Sequence, residues 1–595
     1  MRAEIERADG ARASGARADG VAHARQWVAR HWAPLAAALL VALGAALRLA
    51  LSAAGWPATN SDEATIGLMA RHIAYGGAHP VFFYGNDYMG AFEAYLAAPL
   101  FRLFGPSVMT LRLATVLLFA GFAVCTYALA AALYDRWLAL IAVFVLALGS
   151  REIIFREVFA AGGYPETLFF GALLFLLAFG CARSCAVQPT ERRGWRLAGY
   201  AAWGLVAGLA LWSDPVVLTY VAASAALLAV GCRRELWPRG GVAALAGLAL
   251  GGLPVILYNL SAPAGHSTAA AIWQIATAGA PGNRFARLAA SLSGTVIVSL
   301  PRITGAPLLC TPHGGGQWPP AGGLLPANAA CVAVGLSWSA GALALWALAI
   351  TGSFALYRRA RRSDATAARQ DQPHAVAMAR DETRALARLL LLAGAGATFV
   401  LYAFSGSAGS NPWSNARYLS GLLVATPAVL APLAERSGGW RRAWGEPRWR
   451  RQWVVRGASV VALAGIAASL AWSTLDVART TAPAQAAAQQ RANFVSYLLA
   501  HGLTRIYTDY WTCNRLAFES GERVVCAVLG DDLRPGENRY SPYAALVAAS
   551  STPAAYVFLA DSPQAAALAK HSAPLRARGY IAAAVDGYMV YRVPA

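Results

Sequence analysis

The sequence contains few charged residues and a single lysine. Charged side chains make up 13% of its 595 residues, whereas 57% are hydrophobic. This composition excludes an ordinary soluble protein of several domains and is typical of a chain that crosses a membrane many times. Because Lys570 is the single lysine, arginine supplies nearly all of the formal charge of +20.

Three further absences narrow the function. No internal repeat is visible, so the inverted-repeat signature of many transporters is not seen. The eight cysteines show no spacing of the metal-binding type. Charged residues inside the apolar runs are scarce, and Arg48 is near the end of its run, whereas transporters place ionisable groups in the middle of their spans.

Apolar runs of about 20 residues recur along the chain, and each is long enough to cross a hydrocarbon core as a helix. We therefore predict an α-helical polytopic membrane protein with about 11 transmembrane helices, of which 137–150 is the shortest. The predicted spans are 34–54, 109–134, 137–150, 166–182, 196–212, 215–231, 240–260, 331–357, 385–404, 416–434 and 453–475.

The basic residues cluster in alternate loops, at 183–196, 233–239, 358–362 and 441–451. By the positive-inside rule these loops are cytoplasmic, which places the N-terminus in the cytoplasm and the C-terminus outside it. Topology thus explains the positive charge, and we expect no nucleic-acid partner. The predicted location is the inner (plasma) membrane, as a multi-pass protein in contact with its lipids.

The chain divides into three predicted parts. Residues 1–31 are rich in arginine and alanine and predict a disordered cytoplasmic tail. Residues 32–475 form the membrane domain, whose first run reads as an uncleaved anchor rather than a signal peptide. Residues 476–595 predict a small extracytoplasmic α/β domain. Its predicted elements are strands at 506–508, 523–528, 556–559 and 588–593 and a helix at 563–570.

Two pairs of cysteines lie in predicted outside segments. Cys513 and Cys526 fall in the C-terminal domain, and Cys310 and Cys331 flank a Gly/Pro-rich part of a long loop. Either pair fits a disulfide in an oxidising compartment. Buried free thiols are the alternative for both.

The stretch 60–93 follows the first span and carries four acids, Asp62, Glu63, Asp87 and Glu93. Residues 62–75 have helical apolar spacing, which predicts a helix lying on the bilayer surface, and 88–104 predicts a second interfacial helix. Asn60, Ser61 and Asp62 are all good helix caps, so capping is an alternative role for Asp62. A Gly/aromatic segment, Tyr84 to Gly90, lets the backbone approach a ligand closely.

This order of features resembles the C-type superfamily of membrane glycosyltransferases (GT-C), most of all its protein O-mannosyltransferase and aminoarabinose-transferase branch. The resemblance covers the topology of about residues 30–475. It is motif-specific around 60–113, in Gly-Gly-Tyr-Pro-Glu at 162–166 and in Asn-Ala-Arg-Tyr-Leu at 415–419. It implies polyprenyl-phosphate sugar donors and a catalytic base on the first external loop. That role would fall on Asp62, with Glu63 as its neighbour.

The residue types present fit this chemistry even without the family resemblance. An acceptor hydroxyl needs a base, and a carboxylate within hydrogen-bond reach can serve. A single displacement would invert the anomeric carbon. The departing phosphate needs positive charge, which arginine supplies in planar, bidentate form. Arg417, beside Tyr418, suits that task; an interfacial arginine whose charged end snorkels to water is the alternative.

Further candidates surround these residues. Asp87, Tyr88 and Glu93 of the first loop are expected to bind or position substrate. The second external segment offers Arg151, Glu152, Glu157 and Glu166. From it we take Arg151, Glu157 and Glu166 as candidates, with a salt bridge of Glu152 or Glu157 to Arg151 or Arg156 as the alternative.

Two side features are assigned mainly to structure. Asp214 before Pro215 reads as a helix cap. His72 and His79 could join Asp62 and Asp87 around a divalent ion, although their spacing matches no metal motif. The sequence therefore identifies no cofactor, and a divalent metal ion stays an open alternative.

The sequence thus predicts an integral-membrane glycosyltransferase that uses a polyprenyl-phosphate sugar donor. Its acceptor would be a lipid, glycan or protein on the extracytoplasmic face. The alternative is a transporter or flippase of a lipid-linked or small substrate. A structural assembly factor is a third reading, which would leave the acidic first loop without a task.

Overall fold

A computed structural model describes residues 31–187, 193–277, 283–307, 318, 329–367, 372–437 and 449–594. The predicted tail lies outside these residues except for His31, which begins the first helix. Most of the described chain is helical, and one small sheet lies near the C-terminus.

The described residues between 31 and 261 form twelve helices. They are α1 (His31–Ala53), α2 (Ser61–Gly76), α3 (Phe92–Phe104), α4 (Val108–Leu133), α5 (Arg136–Leu148), α6 (Arg151–Val158), α7 (Tyr164–Val187), α8 (Arg193–Ser213), α9 (Leu218–Gly231), α10 (Arg233–Glu235), α11 (Gly241–Gly251) and α12 (Leu253–Ser261). A 3-10 turn, Pro215–Val217, precedes α9, and a π turn, Leu236–Gly240, precedes α11.

Between residues 268 and 500 the described chain continues with both short and long helices. They are α13 (Thr268–Thr277), α14 (Arg284–Gly294), α15 (Leu300–Thr304), α16 (Ala329–Ala367), α17 (Gln372–Phe404), α18 (Ser407–Ser410), α19 (Pro412–Asn415), α20 (Thr426–Ser437), α21 (Trp449–Arg479) and α22 (Thr481–Ala500). A π turn, Thr295–Ser299, joins α14 to α15, and a 3-10 helix, Ala416–Ala425, precedes α20.

Seven stretches of the described chain are long and apolar enough to cross a membrane. They are His31–Ala53, Val108–Leu133, Tyr164–Ala186, Ala329–Arg362, Ala377–Phe404, Pro412–Glu435 and Val455–Ala500. Two sharply bent helix pairs, α5–α6 and α11–α12, raise the number to as many as nine. The polytopic helical fold is therefore confirmed, whereas the count of about 11 stays a prediction.

The shortest predicted span, 137–150, ends earlier than expected. Helix α5 stops at Leu148, and the chain turns by 79° into α6, where the sequence predicted a loop. Gly149 takes a left-handed φ of 70°, which ends α5. The Ser150 hydroxyl then accepts a hydrogen bond from the Ile153 amide at 3.1 Å and caps α6.

Helices α8 and α11 approach each other closely through small residues. Gly204 and Gly208 on α8 face Gly247 and Gly251 on α11. A Cβ on Gly204 would lie 2.0 Å from the Ala244 carbonyl oxygen, so a larger residue would force the helices apart. Such contacts are how helices pack where no hydrophobic driving force separates protein from lipid.

The C-terminal part, hereafter the sheet region (505–592), forms one five-stranded mixed sheet in the order β2-β1-β3-β5-β4. β2 and β3 pair with β1 in parallel, and β5 pairs antiparallel with β3 and β4. The strands are β1 (Arg505–Thr508), β2 (Val525–Val528), β3 (Ala555–Leu559), β4 (Ile581–Val585) and β5 (Tyr588–Arg592). The helices are α23 (Tyr510–Glu519), α24 (Ser541–Ala548), α25 (Pro563–Lys570) and α26 (Ser572–Ala577).

The cysteine pairs are resolved in part. Cys513 on α23 and Cys526 on β2 form a disulfide with a Cα–Cα distance of 5.5 Å, as one of the two alternatives predicted. Cys331 is disulfide-bonded as well. Cys310 lies outside the described residues.

Helix α2 does not match the prediction of a helix with one buried face on the bilayer surface. Ile66 and Met69 on one face and Leu68 on another are all fully buried. One side packs on α3, and α23 of the sheet region covers the other. Gly67 permits this contact, since a Cβ there would meet the Phe518 ring at 2.7 Å.

Candidate active site

The start of α2 presents Asp62 to the sheet region. Asn60 is the residue that caps the helix, because its side-chain oxygen accepts a hydrogen bond from the Glu63 amide at 3.0 Å. The Asp62 side chain is therefore not needed as a cap. It is half-buried, and its Oδ1 accepts a hydrogen bond from the Tyr510 hydroxyl.

Glu63 points away from Asp62 into the protein. Both of its oxygens accept hydrogen bonds at 2.7 Å from Arg112 on α4, through Nε and one terminal nitrogen. The Ala160 amide donates to the same carboxylate at 3.3 Å. Since Glu63 and Arg112 are almost wholly buried, this bidentate pair fixes the beginning of α2 against α4.

The loop 159–163 connects the buried acids. The Gly162 amide donates to Glu93 Oε2 at 2.9 Å. Gly162 and Gly163 have φ values of 82° and 88°, which favour glycine. A Cβ on Gly163 would lie 2.0 Å from a carboxylate oxygen of Asp214, so the loop backbone and Asp214 are in close contact.

Glu93 and Glu166 form a buried carboxyl pair. Burial raises the pKa of Glu93 well above its usual value, and the neighbouring charge of Glu166 raises it further. The two carboxyl groups are close enough for a side-chain hydrogen bond between them. Because burial and the neighbouring charge both disfavour its ionised form, Glu93 is expected to retain a proton.

Asp214 lies beside this pair. Its Oδ1 accepts a hydrogen bond from the Val216 amide at 2.8 Å, which confirms the predicted cap. Burial raises the pKa of Asp214 to about 6, although the positive charge of Arg417 acts in the opposite direction.

Arg417 is held by aromatic rings. Its guanidinium carbon lies 5.1 Å from the ring centre of Tyr418 and 5.8 Å from that of Tyr164. One terminal nitrogen contacts the Tyr418 hydroxyl at 3.3 Å. Its Nε is buried without a hydrogen-bond partner, and no carboxylate of the described residues forms an ion pair with it. This side chain therefore retains binding capacity for an anion.

Two more arginines approach the same place. Arg156 on α6 and Arg302 on α15 share one carboxylate, that of Glu152, at 2.7 and 2.8 Å. The guanidinium of Arg156 lies 5.4 Å from the Tyr164 ring centre, so Tyr164 contacts both Arg156 and Arg417. We call Arg156, Arg302 and Arg417 the arginine cluster; its three positive charges exceed the single charge of Glu152.

A cavity of about 510 Å³ opens next to the arginine cluster. Its walls are almost entirely apolar and come from α5, α15, α16, α17, α20, α21 and the segments beside them. Leu300, Ile303 and Thr304 of its lining flank Arg302 on α15. Leu422 and Leu423 of its lining belong to the 3-10 helix that carries Arg417. The apolar cavity and the arginine cluster thus share two elements.

The first loop reaches the arginine cluster through Tyr88. Burial raises the pKa of the Tyr88 phenol, and its charged neighbours include Tyr418, Asp214 and Arg417. Asp87 points elsewhere, because it accepts hydrogen bonds from the Tyr258 hydroxyl at 2.6 Å and from His266 Nδ1 at 3.1 Å. Tyr88 thus adjoins Arg417, while Asp87 ties the loop to α12 and the residues after it.

Two candidates of the second external segment lie apart from this group. Arg151 is exposed and pairs with Asp476 on α21 at 2.6 Å. Glu157 is fully buried and pairs with Arg48 on α1, which also donates to the carbonyls of Gly44 and Ala147. The expected salt bridge thus exists for Glu152 with Arg156, but the partner of Glu157 is a more distant arginine.

The described residues contain no group of three or more His, Cys, Asp or Glu side chains placed to hold a metal ion. His72 in particular does not approach Asp62. Its ring contacts the Tyr84 hydroxyl and Glu522, both at 2.8 Å.

Several residues of this site were missed in the sequence. Tyr510 lies far from Asp62 in the sequence, as Arg302 does from Arg417, and no spacing relates the members of either pair. Arg112 did give a signal, because an arginine inside the apolar run 109–134 requires a buried carboxylate or a polar cavity.

No protein-family model and no curated protein sequence matches the chain. Solved structures do. ArnT from Cupriavidus metallidurans, bound to undecaprenyl phosphate, superimposes with a TM-score of 0.53 at 15% identity, over 93% of this chain and 97% of that one.

Two other solved structures are less similar. The apo form of the same ArnT gives a TM-score of 0.49 at 14% identity, over 95% of this chain and 98% of the other. The oligosaccharyltransferase AglB from Archaeoglobus fulgidus, with an inhibitory peptide and a dolichol-phosphate, gives 0.46 at 14% identity, over 95% and 74%.

The similarity to lipid-bound ArnT extends over nearly the whole of both chains, yet the identity of 15% limits what it shows to the fold. The chain therefore has the GT-C fold that its sequence motifs predicted.

Proposed function

We propose that the protein is a membrane glycosyltransferase that moves a sugar from a polyprenyl-phosphate donor to a lipid, glycan or protein acceptor. The observation that carries this proposal is Arg417, a half-buried guanidinium without an ion-pair partner among the described residues. It lies on the 3-10 helix whose Leu422 and Leu423 line an apolar cavity. A lipid phosphate combines the two properties that these features select, a negative head and an apolar tail. The shared fold with ArnT bound to undecaprenyl phosphate supports the same ligand class.

The donor would lie with its phosphate at the arginine cluster and the start of its tail in the cavity. Arg417 offers a planar set of N–H donors, and Arg156 and Arg302 add positive charge. Tyr88, Tyr164 and Tyr418 surround this position and would contact the sugar or the phosphate. Glu93 and Glu166 lie buried beside Asp214, which neighbours Arg417, and a protonated Glu93 can donate a hydrogen bond to a sugar hydroxyl.

The reaction is a single displacement at the anomeric carbon. The acceptor oxygen forms a bond to that carbon while Asp62 takes the hydroxyl proton. The bond between the carbon and the phosphate oxygen breaks, and the lipid phosphate leaves with the electron pair. The positive charge of the arginine cluster stabilises the departing lipid phosphate. One displacement inverts the configuration of the sugar carbon.

Glu63 has a positioning role in this scheme. Its two oxygens are occupied by Arg112 and the Ala160 amide, so it holds α2 and the loop 159–163 in register. Arg151 and Glu157, in their ion pairs with Asp476 and Arg48, likewise stabilise the scaffold. We place the reaction on the extracytoplasmic face of the inner membrane, with a cytoplasmic N-terminus, from the distribution of basic loops.

The Asp62→Asn variant tests the proposed base. Purified wild-type protein and variant are compared for sugar transfer from polyprenyl-phosphate donors, and the variant is expected to lose between about 10²-fold and 10⁴-fold in rate. Asp135→Asn is the matched control, since Asp135 caps α5 through amide hydrogen bonds that asparagine also accepts.

Two results would count against the proposal. Wild-type transfer by a folded Asp62→Asn protein would remove Asp62 as the base. Movement of an intact lipid-linked substrate across vesicles, without transfer, would favour a transporter or flippase.

A further inference from the structure

Asp62 has one hydrogen-bond partner among the described residues, and it comes from the sheet region. The Tyr510 hydroxyl donates to Asp62 Oδ1 across a separation of 448 residues in sequence. Tyr510 is the first residue of α23, and Asp509 caps that helix by accepting a hydrogen bond from the Thr512 amide at 3.1 Å. A regular helix start thus aims the phenol at the carboxylate.

A second side chain fixes the phenol. Arg539 Nε donates to the Tyr510 hydroxyl oxygen at 2.7 Å. Its guanidinium lies 5.2 Å from the Phe83 ring centre, and it pairs with Glu537 at 2.7 Å. Because the Tyr510 oxygen already accepts from Arg539, its own proton is directed towards Asp62. The chain of donors therefore runs from Arg539 to Tyr510 to Asp62.

The two parts of the protein are joined firmly at this point. Asn514 on α23 donates to the Thr65 hydroxyl on α2 at 2.8 Å, one helical turn from Asp62. Phe518, one turn beyond Asn514 on α23, packs on Gly67 of α2. The Cys513–Cys526 disulfide ties α23 to the sheet. The Tyr510 hydroxyl is thus held at a defined place relative to the carboxylate.

We propose that Tyr510 is a positioning residue for Asp62, so that the sheet region completes the active site; this inference rests on the function proposed above. Tyr510 occupies Oδ1 and holds the carboxylate plane, which leaves Oδ2 to receive the acceptor proton. Arg539 sets the orientation of the phenol.

Removal of the phenol hydroxyl frees the carboxylate of the base to rotate. Fewer complexes then have Oδ2 in line with the acceptor hydroxyl, so the rate falls. The donor site at the arginine cluster is unchanged, so the KM for donor stays constant.

The test compares Tyr510→Phe with Tyr580→Phe in the full-length protein. Tyr580 also lies in the sheet region and donates one hydrogen bond, to the Ala554 carbonyl at 3.0 Å. We expect kcat of Tyr510→Phe to fall by roughly 10-fold to 100-fold, with the donor KM unchanged. Tyr580→Phe should match wild type in both constants, and thermal unfolding verifies that both variants fold.

Asp62→Asn and the Asp62→Asn/Tyr510→Phe double variant separate the two claims. If Asp62→Asn transfers sugar as wild type does, both the base and its positioning residue are overturned. If Asp62→Asn is inactive but Tyr510→Phe keeps the wild-type kcat, the positioning role alone is overturned. An equal rate loss in Tyr580→Phe would also overturn it. We expect the double variant to transfer sugar at the same rate as Asp62→Asn, because Tyr510 acts through Asp62.

Discussion

At the scale of single residues, the neighbours Asp62 and Glu63 have separate tasks. One step along a helix turns a side chain by about 100°, which sends Glu63 to Arg112 and Asp62 to Tyr510. Both members of the Glu63–Arg112 pair are almost wholly buried. A charge left there without its partner is costly, whereas loss of charge at half-buried Asp62 is tolerated.

We predict that Glu63→Gln lowers the free energy of unfolding by about 3–5 kcal/mol, because it leaves the Arg112 charge buried and unpaired. Thermal unfolding in detergent measures the change, and Asp62→Asn, which should unfold near the wild-type temperature, is the control. Equal unfolding temperatures for Glu63→Gln and wild type would show that the pair does not stabilise the fold.

The sequence indicated the importance of these acids but not their division of labour. Asp62, Glu63, Tyr88, Glu166 and Arg417 were all predicted as site residues. The structure places the last three of them around Asp214. Which of Asp62 and Glu63 stays accessible depends on Arg112 and Tyr510, one of them in a distant segment. No pattern within the first loop carries that information.

At the scale of elements, the contact between α2 and the sheet region includes a second polar cluster. Glu522 accepts from Arg71 at 2.7 Å, from His72 at 2.8 Å and from the Tyr543 hydroxyl at 2.7 Å. Its φ of 64° is left-handed, which is uncommon for a residue other than glycine. These three donors hold the residue in that conformation.

This cluster predicts that the contact between α2 and the sheet region stabilises the fold to an extent that depends on pH. The hydrogen bond from His72, with those from Tyr543 and Arg71, lowers the pKa of Glu522 from 4.5 to about 2. A lowered pKa means that the stabilising contribution is complete above about pH 4.5 and is lost as the pH falls towards 2. Glu522→Gln should therefore unfold at a lower temperature than wild type at pH 7.

The measurement is thermal unfolding of both proteins from pH 7 down to pH 3. The difference between them should shrink below about pH 4.5, since protonation of wild-type Glu522 removes what the substitution removed. Glu537→Gln is the control, because Glu537 lies in the same region and pairs with Arg539 instead. A difference that stays constant with pH would contradict the assignment.

Element prediction succeeded where the pattern was local. Four of the five strands and α25 were predicted, because aromatic and β-branched residues mark them. Strand β4 was missed, since its sequence Ile-Ala-Ala-Ala-Val has a weak strand signal. The burial of α2 was missed because α23, its covering partner, follows more than 400 residues later.

At the scale of the whole molecule, the apolar cavity and the arginine cluster are adjacent. Helix α15 contributes Arg302 to the arginine cluster and Leu300 and Ile303 to the wall of the cavity. The periodic basic loops and long apolar runs predicted the polytopic fold. They could not predict the cavity, because it forms between helices that lie far apart in sequence and close on one another only in the fold.

The central claim is that the protein binds a polyprenyl phosphate at Arg417, and an experimental structure with undecaprenyl phosphate added tests it most directly. Binding to wild type and to Arg417→Ala is measured alongside, with Arg151→Ala, whose partner is Asp476, as the control. We predict phosphate density within hydrogen-bond distance of the Arg417 guanidinium, a tail entering the cavity, and at least tenfold weaker binding by Arg417→Ala alone. A phosphate bound away from Arg417, or equal binding by all three proteins, would contradict the account.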